Sequence, residues 1–230
     1  MEIINGKVTR KRFIKFTGLS AAAATSFGLL SCSKRSTSID DQDDIVNLGS
    51  GDVGILNYAY ALEQLEAAFF TAVLSSAYSG MSSAEGQILD DLRKHEVAHR
   101  DWFKAALTSV APNQIIPELT PDFSMVNFSS RASVLATAQA LEDTGVSAYG
   151  GAGQLIQNPD YLLQAGKIVS VEARHASAIR SIIASSNTSF AGNDIIDGNG
   201  LEMVRTPNQV LAIAQGFIVE QLNGSNLPQP

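Results

Sequence analysis

Two five-residue stretches, His95-Glu96-Val97-Ala98-His99 and Val171-Glu172-Ala173-Arg174-His175, share a Glu-x-x-His spacing. On an α-helix, residues three apart lie on one face, so each Glu can join its His around one point. The surrounding stripes decide what that face meets. Leu89, Leu92, Glu96, His99 and Phe103 recur at intervals of three and four, and Ile168, Glu172, His175, Ile179 and Ile182 do the same. The acids and imidazoles therefore sit on apolar, core-facing stripes. A buried, unpaired carboxylate is costly, and a cation is the simplest compensation.

Each of these helices is preceded by another that adds a carboxylate. One contains Ala61-Leu62-Glu63 and reaches Phe70 seven positions after the Glu; the other contains Ala140-Leu141-Glu142 and reaches Tyr149 at the same distance. The repeat is Ala-Leu-Glu, an aromatic residue, then Glu-x-x-His, with 33 residues from Glu63 to Glu96 and 30 from Glu142 to Glu172. A pseudo-twofold bundle brings four Glu and two His together at mid-height. That is the carboxylate-bridged ligand set of di-iron and di-manganese bundles. The candidate metal ligands are Glu63, Glu96, His99, Glu142, Glu172 and His175, and two Fe or Mn ions are the expected cofactor.

Neighbouring residues leave alternatives open. Glu66 shares the Leu62/Phe69/Val73 stripe and can replace or join Glu63; otherwise it is a half-exposed acid. His95, beside Glu96, reads as an outer or surface histidine before it reads as a ligand. Tyr149 can hydrogen-bond a ligand carboxylate, but an aromatic at helical spacing is first of all core. Asp101 and Asp143 are expected on solvated faces, and Trp102 packs beside His99. Gly150-Gly151-Ala152-Gly153 reads as a close-packed or kinked stretch of helix. There is no Gly-rich phosphate loop, no Cys ligand set and no Ser-His-Asp arrangement.

The segments around these motifs give the topology. Helices are expected at 52–78, with Asp52 as N-cap; at 82–110, opened by the capping-box pair Ser82 and Glu85; at 130–157; and at 159–185 after Asn158-Pro159. A short last helix starts at Thr206-Pro207 and runs to 222. The first and third connections are short, so they make antiparallel hairpins. The middle connection, 111–128, contains Pro112, Pro117 and Pro121. A 27-residue helix is about 40 Å long, and 18 extended residues reach up to about 60 Å. The connector can therefore span the bundle. The expected fold is all-α: a four-helix bundle of two helical hairpins joined by a long crossover, plus a short C-terminal helix.

The chain of 230 residues carries a formal net charge of −7. Residues 1–32 read as a targeting segment. Lys7, Arg10, Lys11, Arg12 and Lys15 form a basic start, residues 18–30 are small and apolar, and Leu29-Leu30-Ser31-Cys32 resembles a lipobox. Without this segment 11 basic and 22 acidic residues remain, a balance near −11 that excludes nucleic acid as a natural partner. Cys32 is the one cysteine, so no intramolecular disulfide forms and Cys32 is the expected lipidation site. The basic part resembles a twin-arginine signal with Lys11 in place of the second Arg. The expected layout is a lipoprotein-type signal peptide at 1–32, a flexible acidic tether at 33–51, the bundle at 52–222 and a tail at 223–230. This implies an exported protein, anchored by lipid at a periplasmic or surface membrane; a homo-oligomer stays open.

These residues resemble the ferritin-like superfamily. The nearest look is to exported ferritin-like domain proteins of the desiccation-related type, through Asn57-Tyr58-Ala59-Tyr60-Ala61-Leu62-Glu63-Gln64-Leu65-Glu66 and the helix start Thr206-Pro207-Asn208-Gln209-Val210. The resemblance covers about 53–222 and matches the same six residues to metal ligands. Phe70 departs from the Tyr often found after the first Glu. What it implies is an oxidase or a protein that handles iron or peroxide. The alternative is a metal-free structural or stress-protective lipoprotein.

Overall fold

The computed structural model describes residues 45–184 and 189–230. The leader, Cys32 and most of the expected tether lie outside the described residues, as does Ser185 at the expected end of the fourth helix.

Four long helices make the body: α1 (Gly51–Ser75), α2 (Ser83–Val110), α3 (Arg131–Gly153) and α4 (Pro159–Ile183). Helices α1 and α2 form one hairpin and α3 and α4 the other, with the long 111–130 crossover between them. A short helix α5 (Pro207–Ala214) packs against α3 and α1. No helix among the described residues is long and apolar enough to cross a membrane.

Local signals explain most helix starts. Ser82 accepts from the Glu85 N–H while Glu85 reaches back to the Ser82 N–H, and Thr206 and Gln209 repeat that capping box at α5. Asn158 caps α4, with Pro159 at its first turn. Asp52 is not the cap of α1, however. Ser50 occupies that position, and Asp52 instead accepts from the backbone N–H groups of Gln157 and Asn158 at 2.8 Å each, tying the α3–α4 turn to the start of α1.

Several boundaries differ from expectation, and α1 ends at Ser75 rather than 78. Helix α3 stops at Gly153 rather than 157, and α5 ends at Ala214. Beyond α5 the chain forms a 3-10 turn and then strand β2 (Gln221–Asn223). The tether expected to reach 51 ends earlier: Ile45–Asn47 is a strand, β1, that pairs in parallel with β2, and Leu48 behind it is fully buried. The expected tail is likewise held, with Leu227 in the core. A sequence-local reading misses this pair because its partners lie at opposite ends of the domain.

Helix α1 is buried almost all round from Gly54 to Ala67, where a bundle helix normally keeps a polar face. The crossover covers that face. Its backbone polar groups need partners, and α1 supplies them from two residues seven apart. Asn57 donates to Leu48 O (3.0 Å) and Gln114 O (2.7 Å) and accepts from Ile116 N; Gln64 donates to Pro117 O and accepts from Leu119 N at 2.8 Å.

Candidate metal centre

The four helices aim one carboxylate each at a common point. Glu63 comes from α1, Glu96 from α2, Glu142 from α3 and Glu172 from α4, and all four are fully buried. His99 and His175, one turn after Glu96 and Glu172, close the cluster. His99 Nδ1 lies 2.9 Å from Glu172 Oε1, 3.4 Å from Glu96 Oε2 and 3.5 Å from Glu63 Oε2. His175 Nδ1 lies 2.6 Å from Glu96 Oε1, 3.5 Å from Glu142 Oε2 and 3.7 Å from Glu172 Oε2. All six residues singled out by the spacing therefore meet in one place.

These short separations are not well-formed hydrogen bonds. Both Nδ1 atoms, both oxygens of Glu96, Glu142 and Glu172, and Oε2 of Glu63 are buried without a hydrogen-bond partner. Buried polar atoms are almost always paired, so a convergent set of orphans marks a place shaped for something else. The donors fall into two groups, Glu63/Glu96/His99/Glu172 and Glu96/Glu142/Glu172/His175, each with ligand atoms within 4.8 Å of one another. Atoms about 2.0–2.2 Å from a divalent transition ion stand at most about 4.4 Å apart. Small adjustments close either group on an ion. Glu96 and Glu172 belong to both groups, which is the placement of bridging carboxylates.

Electrostatics supports the same reading. Burial, then the charges of Glu172 and Glu96, holds Glu63 well above the ordinary carboxylate range despite His99. Burial and Glu96 do the same to Glu142. Burial would push the His99 ring down, but the close carboxylates of Glu172, Glu63 and Glu96 outweigh it and push it up to about 12. His175 is raised by Glu142, Glu172 and Glu96 in the same way. Glu96 goes the other way: burial would raise it, but the His175 and His99 rings beside it outweigh that and hold it down to about 2. Four carboxylates carry the charge that two divalent ions cancel.

The two halves repeat, and their differences fall at equivalent positions. Tyr149, seven residues after Glu142, donates its hydroxyl to Glu63 Oε1 across the bundle. Its counterpart Phe70, seven after Glu63, has no hydroxyl to offer Glu142. His95, just before Glu96, meets His175: His95 Nδ1 and His175 Nε2 are 2.9 Å apart, with the rings nearly parallel at 11°. Its counterpart before Glu172 is Val171. Each half thus has one supporting partner of a different kind. Were Nδ1 of His175 to bind an ion, Nε2 would carry the proton and donate it to His95 Nδ1. Tyr149 and His95 were legible as candidates; which ligand each one touches was not.

Glu66 is neither a half-exposed acid nor in either donor group. It is buried beside the cluster with Oε2 unpartnered. Its counterpart, three after Glu142, is Gly145, where a Cβ would stand 2.9 Å from Glu66 Oε1. A glycine on one half makes room for the extra carboxylate of the other. Burial, then Glu172, Glu96, Glu142 and Glu63, keeps Glu66 well above the ordinary range. Asp143, expected on a solvated face, is instead mostly covered and grips Arg180, whose guanidinium also reaches Asp194 at 2.7 Å. Asp101 is exposed and pairs with Arg100. Trp102 packs edge-on against Phe103. The Gly150–Gly153 stretch is a close approach: Cβ atoms at Gly150 and Gly151 would lie 2.7 Å from Val204 Cγ1 and 1.9 Å from the Arg205 carbonyl oxygen.

A four-helix body with a duplicated Glu and Glu-x-x-His set, buried and convergent, defines a helical bundle whose core could hold metal. The sequence matches the model of the ferritin-like domain over residues 51–185, and the chain belongs to that family. No curated protein matches it.

Proposed function

We propose that this chain is an exported, lipid-anchored ferritin-like protein that holds two Fe or Mn ions and uses them as an oxidase or in handling iron or peroxide. The observation that carries the metal reading is the convergence of orphaned, fully buried ligand atoms of Glu63, Glu96, His99, Glu142, Glu172 and His175. Mixed imidazole and carboxylate donors suit Fe and Mn. Such ions supply electron-transfer chemistry with dioxygen or peroxide. The chain's own residues would hold and orient the ions: Glu96 and Glu172 belong to both donor groups, Tyr149 supports Glu63 and His95 lies against His175. The bundle excludes water, which strengthens every charge interaction inside it.

The export and anchoring half rests on Leu29-Leu30-Ser31-Cys32 after a basic and apolar leader. A diacylated Cys32 carries enough chain for stable anchoring. This leader, ahead of a domain that begins at Ile45, is the layout we assign to an exported protein of the desiccation-related type.

Elemental analysis of protein purified from its native host tests the metal: near two Fe or Mn per chain is expected, and metal-free protein sinks the reading in favour of a scaffold. Detergent partitioning tests the anchor: Cys32→Ala should move to the aqueous phase, and equal partitioning of the two proteins refutes lipidation.

A further inference from the structure

A surface pocket of ≈ 240 Å³ opens on the side of the first hairpin that the crossover covers. Tyr60, Gln64 and Ala68, one turn apart on α1, line it, with Arg100, Asp101 and Lys104 from α2 and Glu118 and Leu119 from the crossover. None of the six candidate metal ligands does. Tyr60 draws the eye to this place. Its side chain is 1% exposed, yet among the described residues its hydroxyl has no hydrogen-bond partner. A buried hydroxyl almost always finds one. The charges that act on it are Lys104, Glu118, Arg100 and Asp101, so the group stands among the side chains of the pocket. Burial, the largest influence, holds it above the ordinary phenol value, and it remains a proton donor.

We propose that this pocket binds a small organic carboxylate, with the acid group on Arg100, Lys104 and Tyr60 and the carbon part against Ala68 and Leu119. The site goes beyond the metal reading and does not depend on it. Arg100 pairs with Asp101, and Lys104 with Glu118, but in each pair the cation is the inner partner: Arg100 is 36% exposed against 59% for Asp101, and Lys104 49% against 78% for Glu118. Both cations keep donors to spare. Nε and Nη2 of Arg100 go to the same Asp101 oxygen, which leaves Nη1; Lys104 gives one N–H to Glu118 Oε1 at 2.6 Å and keeps two. With the Tyr60 O–H, three donors from two helices line one space, and an anion satisfies them. Exposed ion pairs contribute little, so the acids turn to water at small cost when a ligand takes their place. A metal ion or an amine would meet the two cations first. Inorganic phosphate suits the donors but leaves the carbon of Ala68 and Leu119 wet. The volume lies below the range of about 300–1,000 Å³ usual for drug-sized ligands, which limits the guest to a few carbons.

Calorimetric titration of the full chain with butyrate tests the site, with inorganic phosphate and butylamine as controls. Saturable binding of one butyrate per chain is expected, with phosphate weaker and butylamine unbound. Tyr60→Phe removes only an unbonded hydroxyl. It should keep the wild-type melting temperature and weaken butyrate about tenfold or more, the worth of a hydrogen bond to a charged group. Arg100→Gln should weaken it as much. Ala68→Leu, which fills the carbon-lined part from a half-buried position, should abolish binding. Absence of saturable butyrate binding to the wild type overturns the proposal. So does phosphate binding as tight as that of butyrate, which would make this a general anion site, and so does an unchanged butyrate affinity in folded Tyr60→Phe protein.

Discussion

Stripping metal from the protein and following its melting across pH separates a metal centre from a metal-free polar core. Glu63, Glu96, Glu142 and Glu172 are wholly buried. In the absence of a cation, burial and neighbouring charge raise the Glu63 and Glu142 carboxyls above their ordinary value. A folded-state pKa above the unfolded one means that the native state binds extra protons between the two. The stability this contributes is complete in acid and is lost as pH rises past the unfolded carboxylate value. His99, pushed up to about 12, has the same sign: its contribution is full below the ordinary imidazole value and falls away above it. Metal-free protein should therefore melt at progressively lower temperature from about pH 5 to about pH 8. Metal competes with those same protons, so the stabilisation it adds should grow over that range. Two ions, each at a thousandfold excess over Kd, contribute about 8 kcal/mol together, or roughly 16–32 °C for a domain of this size. Calorimetric melts of chelated protein with and without excess Mn(II) read both trends. Equal melting temperatures at every pH would refute the reasoning. So would a full metal-induced shift in the Glu96→Gln/Glu172→Gln protein, which lacks both bridges.

Three substitutions probe the supporting partners and the packing. His95→Ala removes the acceptor of His175 Nε2–H and should weaken the ion held by Glu142 and His175 by about 10–100-fold, while His95→Gln restores much of it; calorimetric titration with Mn(II) that shows both ions weakened equally argues against the pairing. Tyr149→Phe copies Phe70, leaves Glu63 Oε1 without its donor and should weaken the other ion by a similar factor of about 10–100, with the His175 half unchanged. Gly151→Ala sets a methyl 1.9 Å from the Arg205 carbonyl, so the 204–205 segment must move. It should cost about 1–3 kcal/mol in thermal or urea unfolding with metal affinity intact, and an unchanged stability would show that this contact is loose.

Much of the centre was legible because helical geometry is local. The i, i+3 relation between Glu96 and His99, and between Glu172 and His175, follows from 100° per residue, and the stripes of Leu and Ile around them name the buried face. The length of the crossover, set against the length of a helix, selected two joined hairpins. Capping at Ser82 and Thr206 is equally local: a hydroxyl and a Glu or Gln three residues on satisfy the free N–H groups wherever the helix then packs.

What the chain alone left open depends on the rotation and register of one helix against another. Glu63 and Glu66 lie three apart on the same stripe, and both are buried; only the fit of α1 against α3, where Gly145 yields space, puts Glu63 in a donor group and Glu66 behind it. Phe70 and Tyr149 stand at equivalent positions, yet the hydroxyl of Tyr149 crosses to Glu63 of the opposite hairpin, which no spacing within α3 encodes. Asp143 looks like a surface acid until Arg180 and the 194 segment close over it. Strand β1 has three residues and no strong pattern of its own; it forms because β2, at the far end of the domain, offers its backbone hydrogen bonds. Periodicity and caps are properties of a segment and are written in its sequence. Contacts between segments exist only once burial has set the helices against each other, and these decide which carboxylates meet and what holds them.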